Sequence, residues 1–515
     1  MAAFLSLPIE MKENVFAFIR QMPRMTTICL AWREWRKLMA SKLIHIRRGV
    51  QGHGMPCDKD VETVVQFLIG ALPRNNLVMF SSELALRTSF VLNLVQCHQT
   101  LRTLNVQIRS ADSRSPPGLT TIADAEWISP LLDNITTLSI WLGTNGSFHR
   151  SSNFLIRSAP KLRELTLKGG ERVAPFVHRD RLLSPFGHVN LGDPQTLRLS
   201  RLALVAIDFT EHTTTLVKYL DMSYLQNHRI IRCRSILHLL AALATQLTDA
   251  SCDLRSFDVC PTRVPTADEE LVCAIEGLIE NAHGLRNTWV DVGKGRLTGP
   301  SPIQQHGASL RNLALCKAQD SDMLHICAMD LTSMLEASPL LKGLALNLGP
   351  VDLGDIKDLS IEFDLDSPDG TATCKTNFVA TLDAIASHHR LQALRMLTLP
   401  IIDYGYATNP TASNGTAIED SHVYMTQITM LNFATEIFRY LYKRGSTIKY
   451  LAVAPACIHE FTRPKKDENG HQWPWYYYVR SRTVDVRGMQ EVVALPATYL
   501  REEMPVDAQI LFHPF

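Results

Sequence analysis

The feature that most constrains this chain is a short apolar pattern that returns along most of its length, written apolar-x-x-apolar-x-apolar. Leu162-Arg-Glu-Leu165-Thr-Leu167 is the clearest copy, and Leu101/Leu104/Val106 and Ile135/Leu138/Ile140 repeat it. Further copies fall at Val217/Leu220/Met222, Leu254/Phe257/Val259, Leu310/Leu313/Leu315, Leu341/Leu344/Leu346, Leu394/Leu397/Leu399 and Ile448/Leu451/Val453, with a weaker one at Leu285/Thr288/Val290. First positions lie 25 to 37 residues apart, except for three intervals of 53 to 55 that read as two units with one copy eroded. Each copy suits one short strand whose alternate side chains face inward. Helix-like stretches such as SILHLLAALATQL and DEELVCAIEGLIENAHG precede the strands and carry apolar stripes to pack behind them. One such unit cannot close its own core, but neighbours stacked side by side bury a continuous one.

The lead-ins SAPKLREL, ASPLLKGL and GASLRNL are alike: a small residue or proline ends the helix, then Leu enters the strand. With these lead-ins the stretch 61–460 resembles a degenerate leucine-rich repeat. The resemblance implies an α/β solenoid with short parallel strands on one face and helices on the other. A non-repeat α/β domain is the alternative reading. Three polar insertions interrupt the copies. Residues 171–196 are basic (Arg172, Arg179, Arg181), residues 350–376 are acidic (Asp352, Asp355, Asp358, Glu362, Asp364, Asp366, Asp369), and residues 401–424 form the third. Long loops in a compact array carry function or lack fixed structure, so these and the strand-lined concave face are where a ligand is expected.

Residues 7–36 have a different texture. Met11, Val15, Phe18 and Ile19 recur at helical spacing, Pro8 suits a first helical turn, and Pro23 breaks the pattern before Met25, Ile28, Cys29, Trp32, Trp35 and Met39 resume it. Two short amphipathic helices result, with more apolar surface than so few residues can bury among themselves. Their tryptophans alone carry roughly 1.5–3 kcal/mol or more each on burial. The order Leu7-Pro8-x-Glu10-Met11, then Val15-Phe16 and Ile19, then Pro23, then Ile28-Cys29-x-x-Trp32 resembles the F-box. Met11 and Val15 depart conservatively from that family's Leu and Ile; Leu30 replaces its usual Arg, and the customary Asp after the first helix is absent. The resemblance implies a small all-α module, residues 1–48, that docks through Leu7, Pro8, Glu10, Met11, Val15, Phe16, Ile19, Ile28, Cys29 and Trp32 onto a Skp-type adaptor and through it a cullin. The same helices could instead cap the next domain.

Residues 42–56 read as a solvated helix end with a basic patch (Lys42, His45, Arg47, Arg48) and then a glycine-rich joint, so that 49–60 is a linker. At the other end Trp473-Pro-Trp475-Tyr476-Tyr477-Tyr478 is the densest aromatic cluster, and 461–515 reads as a segment that seals the last repeat.

With 52 basic against 51 acidic residues the chain has no global field for a polyanion, so no nucleic-acid partner is expected. No apolar run approaches the roughly 18 residues a membrane span needs, and MAAFLSLPIEMKENV does not resemble a secretory signal. A cytoplasmic or nuclear location follows, in which the 11 cysteines stay reduced and the sequons at Asn134, Asn145 and Asn414 stay idle.

Catalytic chemistry is thin. Gly293-Lys-Gly-Arg-Leu-Thr-Gly299 lacks the ending of a phosphate loop, His388-His389 has no metal frame and reads as solvated, and Cys252 and Cys260 are not spaced for zinc. No cofactor or metal is expected. The resemblances imply a non-enzymatic substrate-recognition subunit of a cullin-based SCF ubiquitin ligase, working in proteasomal degradation with an unidentified protein substrate. The alternative is a leucine-rich-repeat scaffold acting outside a ligase.

Overall fold

A computed structural model describes residues 43–46, 74–109, 129–141, 155–169, 196–207, 209, 220–249, 253–261, 269–292, 296–316, 326–348, 352–355, 372–397, 401–403, 420–453, 456–457, 476–484, 486–497, 500 and 505–512. The expected F-box residues, Leu7 to Trp32, lie outside them, as do residues 171–195. The chain is mixed α/β and divides into two compact units, Met1–Gln246 and Leu247–Phe515.

The first unit holds strands β1 (Leu43–Ile46), β2 (Met79–Arg87), β3 (Thr103–Arg109), β4 (Thr137–Trp141), β5 (Glu164–Lys168), β6 (Arg201–Val205) and β7 (Asn227–Ile231), each parallel to the next in chain order. Residues 43–46 were expected at a helix end; they form an edge strand instead. Helix α1 (Thr88–Cys97) follows β2, and α2 (Leu237–Asp249) follows β7.

The apolar pattern explains the geometry. Its fourth and sixth residues, such as Leu104 and Val106 or Leu165 and Leu167, are the buried row of a strand, and its first residue fills the turn that enters it. That turn recurs: the N–H of Leu101, Ile135 and Leu162 donates to the carbonyl three residues back, at 2.9, 3.0 and 3.2 Å. One carbonyl per strand then accepts two N–H groups of its neighbour, as Arg102 O accepts Thr136 N and Thr137 N. Every copy is thus held in the same register as the last.

Two copies fall elsewhere than expected. In place of Val217/Leu220/Met222 the strand forms at Leu225/His228/Ile230, because Leu220 makes only an isolated bridge to Leu197 and Met222 opens a 3-10 turn. The wide gap before it is filled by Leu199/Leu202/Leu204 on β6, a full copy overlooked in the pattern. A further copy, Leu77/Phe80/Ser82 on β2, had also escaped notice.

The second unit continues with β8 (Ser256–Cys260), α3 (Glu269–Asn281), β9 (Asn287–Asp291), the short α4 (Pro300–Gln304), β10 (Asn312–Cys316), α5 (Ala328–Ala337) and β11 (Gly343–Leu346). Next come β12 (Asp352–Asp355), α6 (Ala372–Ser387), β13 (Ala393–Met396), β14 (Ile401–Asp403), α7 (Asp420–Lys443), β15 (Tyr450–Val453) and β16 (Ala456–Cys457). Its main sheet pairs β8, β9, β10, β11, β13 and β15 in parallel. The weak copy at Leu285/Thr288/Val290 is a true strand, β9.

The two remaining wide intervals hide no eroded copy, since β11 pairs directly with β13 and β13 with β15. They hold insertions whose first residues, β12 and β14, join β16, which follows the last copy, in a second, three-stranded parallel sheet. The two insertions beginning near 350 and 401 therefore start as strands rather than loops. Register Leu344↔Leu394 shows that the copy proposed at Leu394/Leu397/Leu399 is Leu391/Leu394/Met396; Leu397 lies on the other face.

The last strand would expose an open edge. It is closed by an antiparallel hairpin, β17 (Tyr476–Val484) on β15 and β18 (Gln490–Pro496) on β17. Helix α7 then blunts β18: Arg439 Nε donates to Val492 O at 3.3 Å, and Ala494 N–H donates to Thr435 Oγ1 at 3.1 Å. Paired edge groups cannot template another strand. Among the described residues no helix is long and apolar enough to cross a membrane.

Candidate ligand-binding faces

Each unit presents a strand face opposite its leucine row, and the two faces differ in chemistry. On the first unit the register aligns three columns, the first two mainly polar and the third mixed. Thr103, Thr137, Glu164, Arg201 and Asn227 form one; Asn105, Ser139, Thr166, Ala203 and Arg229 the next; Gln107, Trp141, Lys168, Val205 and Ile231 the third. All but the exposed Arg201 are half-buried. Neighbours interact across strands: Asn105 Nδ2 donates to Ser81 Oγ at 3.0 Å, Arg201 pairs with Glu164 at 3.5 Å, and the Lys168 ammonium lies 5.0 Å from the centre of the Trp141 ring. Asn105 Oδ1 and Ser139 Oγ, adjacent in register, have no hydrogen-bond partner, which leaves polar capacity on this face.

On the second unit the face sets alanines and a glycine between a few large side chains. One row runs Trp289, Ala314, Ala345, Arg395, Ala452, Tyr477, and the row beside it holds Gly343, Ala393 and Tyr450. Residues 506–512 form a 3-10 segment that lies on this floor, burying Ala508, Ile510 and Leu511. Phe512 packs on Tyr477 with ring centroids 4.9 Å apart. Gly343 leaves room for this segment: a Cβ there would stand 2.9 Å from Ile510 Cγ2 and 2.3 Å from Asn312 Oδ1, so those side chains would have to shift.

Arg395 is the unusual member. Its side chain is 2 % exposed, its guanidinium sits 5.3 Å from the centre of the Trp289 ring, and Nη1 makes a long 3.5 Å contact to Ile510 O. Burial pushes its pKa down to about 9, against small upward pulls from Tyr477 and Cys316. The group still carries its charge at neutral pH.

Other candidates resolve as structure. The Gly293–Gly299 stretch is tied down at its end: Arg296 pairs with Glu276, Nη2 to Oε2 at 2.5 Å, and Gly299 N–H donates to Glu276 Oε1 at 2.7 Å. His388, expected in solvent, is buried with Nε2 3.0 Å from Ser338 O, because it closes the turn into β13; only His389 is exposed. Cys252 lies outside the described residues. Cys97, Cys233, Cys260, Cys273, Cys316 and Cys327 form no disulfide, and among the described residues no cluster of three or more His, Cys, Asp or Glu could hold a metal. Sequence reasoning passed over Arg395 and Trp289, and placed residues 506–512 only within the 461–515 segment, without singling them out. The available signal was Ala or Gly at the outward positions of four consecutive copies and a terminal Ile510-Leu511-Phe512.

Comparison with known proteins returned no matching family model and no matching curated protein.

Proposed function

We propose that this chain is a substrate-recognition subunit of a cullin-based SCF ubiquitin ligase. Residues 7–36 dock onto a Skp-type adaptor, and a leucine-rich-repeat-like array offers its strand faces to a protein substrate. The observation that carries the substrate-binding half is the aligned, half-buried face of β3 to β7, whose polar side chains offer hydrogen-bonding groups to an extended peptide. The docking half rests on the ordered residues Leu7, Pro8, Glu10, Met11, Val15, Phe16, Ile19, Ile28, Cys29 and Trp32. Ubiquitin transfer would be by proximity, with other subunits supplying the chemistry.

The test is a pull-down of the purified chain with a Skp-type adaptor, comparing wild type with a Pro8→Ala, Val15→Asp, Trp32→Ala variant whose folding is checked by circular dichroism. Binding by wild type alone supports the ligase subunit. No binding by wild type overturns it and leaves an interaction scaffold.

A further inference from the structure

We infer that the strand-entry edge of the second unit is a further protein-binding surface: a row of cations, Arg286, Arg311, Lys342, Arg390 and Lys449, that takes an acidic, extended segment of a partner protein. The row lies where the strands begin rather than on either strand face, and it does not depend on adaptor docking.

Register sets these residues side by side. The residue before each strand is hydrogen-bonded to its counterpart on the next, forming one rung after another. Arg286 N–H donates to Arg255 O at 2.8 Å, Arg311 N–H to Arg286 O at 2.7 Å, and Lys342 N–H to Arg311 O at 2.7 Å. Gln392 N–H then donates to Lys342 O at 2.7 Å, and Lys449 N–H to Gln392 O at 2.8 Å. At about 4.8 Å per strand, the row from Arg286 to Lys449 is about 19 Å long. The neutral Gln392 rung still has a cation close by, since Arg390 stands just before it in the chain. Arg286, Arg311, Lys342, Arg390 and Lys449 are all exposed.

The fold does not ask for basic side chains here. A rung works through its main chain, and in the first unit Thr136, Ser200 and Gln226 fill it as well as Arg102 and Arg163 do. There the cations are interrupted by neutral residues, and Glu164 stands directly after Arg163. In the second unit the three residues before each rung and the strand residue after it include a single acid, Asp253, which pairs with Arg255 at 2.7 Å. Like charges on neighbouring strands repel, and an anion laid along them relieves that repulsion.

The chemistry of the row selects its partner. It is one cation wide, and its length matches about six residues of extended peptide at about 3.4 Å each. Beside it, on the first strand residues, Asn312 Nδ2 donates to Asn287 Oδ1 at 2.7 Å. That pair keeps amide hydrogens on Asn287 and acceptor capacity on Asn312 Oδ1, a mixed set that suits a peptide main chain. A phosphodiester backbone accepts only, and no rung is aromatic to stack a base. An acidic peptide is therefore favoured over a nucleic acid.

The experiment titrates the full chain into fluorescein-labelled hexaglutamate and reads anisotropy, with hexaglutamine and hexathymidylate as comparisons. Hexaglutamate should bind at least about tenfold more tightly than either, and more weakly as salt rises. The triple variant Arg286→Gln, Arg311→Gln, Lys342→Gln should lose about tenfold in affinity. The same loss of charge in the first unit, Arg102→Gln, Lys161→Gln, Arg163→Gln, should cost less than about twofold. Hexaglutamate that binds no better than hexaglutamine, or equal losses in the two triple variants, overturns the inference. Tighter binding of hexathymidylate overturns the peptide as occupant. Both variants should stay folded by circular dichroism, because the main chain holds each rung. Should the first of them unfold, Arg311→Gln alone decides: a loss of about twofold or more is expected, and no loss sinks the row. No adaptor enters the assay, so its failure and that of the ligase reading are separate results.

Discussion

Arg395 and Trp289 stand three strands apart and still meet, the guanidinium lying 5.3 Å from the indole centre. At about 4.8 Å per strand the two backbones are about 14 Å apart. Both side chains reach inward along one row, and the contact exists because the positions between them are Ala314 and Ala345.

A side chain at either alanine should therefore break the pair. Ala345→Leu is expected to cost about 1–3 kcal/mol by overpacking and to lift residues 506–512 off the floor. Urea melts would give the loss in stability. Faster amide exchange confined to 506–512 would show the lifting; unchanged exchange there would contradict it.

Arg395→Met keeps volume, relieves the buried charge and loses the contacts to the Trp289 ring and Ile510 O, so the two effects should offset and change stability by no more than about 1–2 kcal/mol. Thermal melts of the two chains test this, and a large loss would mean that the guanidinium is a net stabiliser of the floor.

Arg439 joins α7 to the terminal hairpin. It pairs with Glu436 and with Glu491 at 2.5 Å, and it occupies the Val492 carbonyl. Arg439→Ala is expected to lose about 1–2 kcal/mol and to expose one edge of β18, since an acceptor is left unmade and the partly exposed ion pairs add little. Concentration-dependent light scattering would report the exposed edge.

His306 links stability to pH. Burial holds its imidazole below the ordinary value, against the upward pull of the Nε2 contact to Ile279 O at 2.9 Å and with a small further lowering from His283. Because the folded chain resists protonation, the unfolded chain binds more protons as pH falls through about 6.5, and stability is lost in that direction. Denaturant midpoints measured from about pH 7.5 down to 5.5 should fall. The slope should be shallower in His306→Gln.

Glu276 works in the same direction, at lower pH. Burial pushes its carboxyl up, but the Arg296 hydrogen bond, the Gly299 N–H and the guanidinium charge outweigh this and hold it below its ordinary value. Its contribution is complete above the unfolded carboxylate pKa, about 4.3, and disappears as pH falls below it. Glu276→Gln should cost about 1 kcal/mol near neutral pH and make the 296–299 stretch more open to proteolysis.

Much of the strand order was legible because it rests on local chemistry. An apolar-x-x-apolar-x-apolar run makes a turn and a half-buried strand wherever it stands, as Leu162/Leu165/Leu167 and Leu310/Leu313/Leu315 do. It failed where that pattern is ambiguous by a few residues. Leu394/Leu397/Leu399 fits the pattern too, and only pairing with Leu344 selects Leu391/Leu394/Met396. Wide spacing was likewise ambiguous, since an extra strand (β6) and an insertion that starts a second sheet (β12, β14) lengthen the chain alike.

What the sequence by itself determined is therefore the repeating unit, an alternation of helix and short strand whose apolar row can be covered only by its neighbours. What tertiary structure alone decided is the register between units and the use of the opposite face. Trp289, Arg395 and Ile510 are up to 221 residues apart and carry no shared local pattern. They meet because parallel strands in exact register put alanines between them, and that steric fact exists only once the sheet has formed.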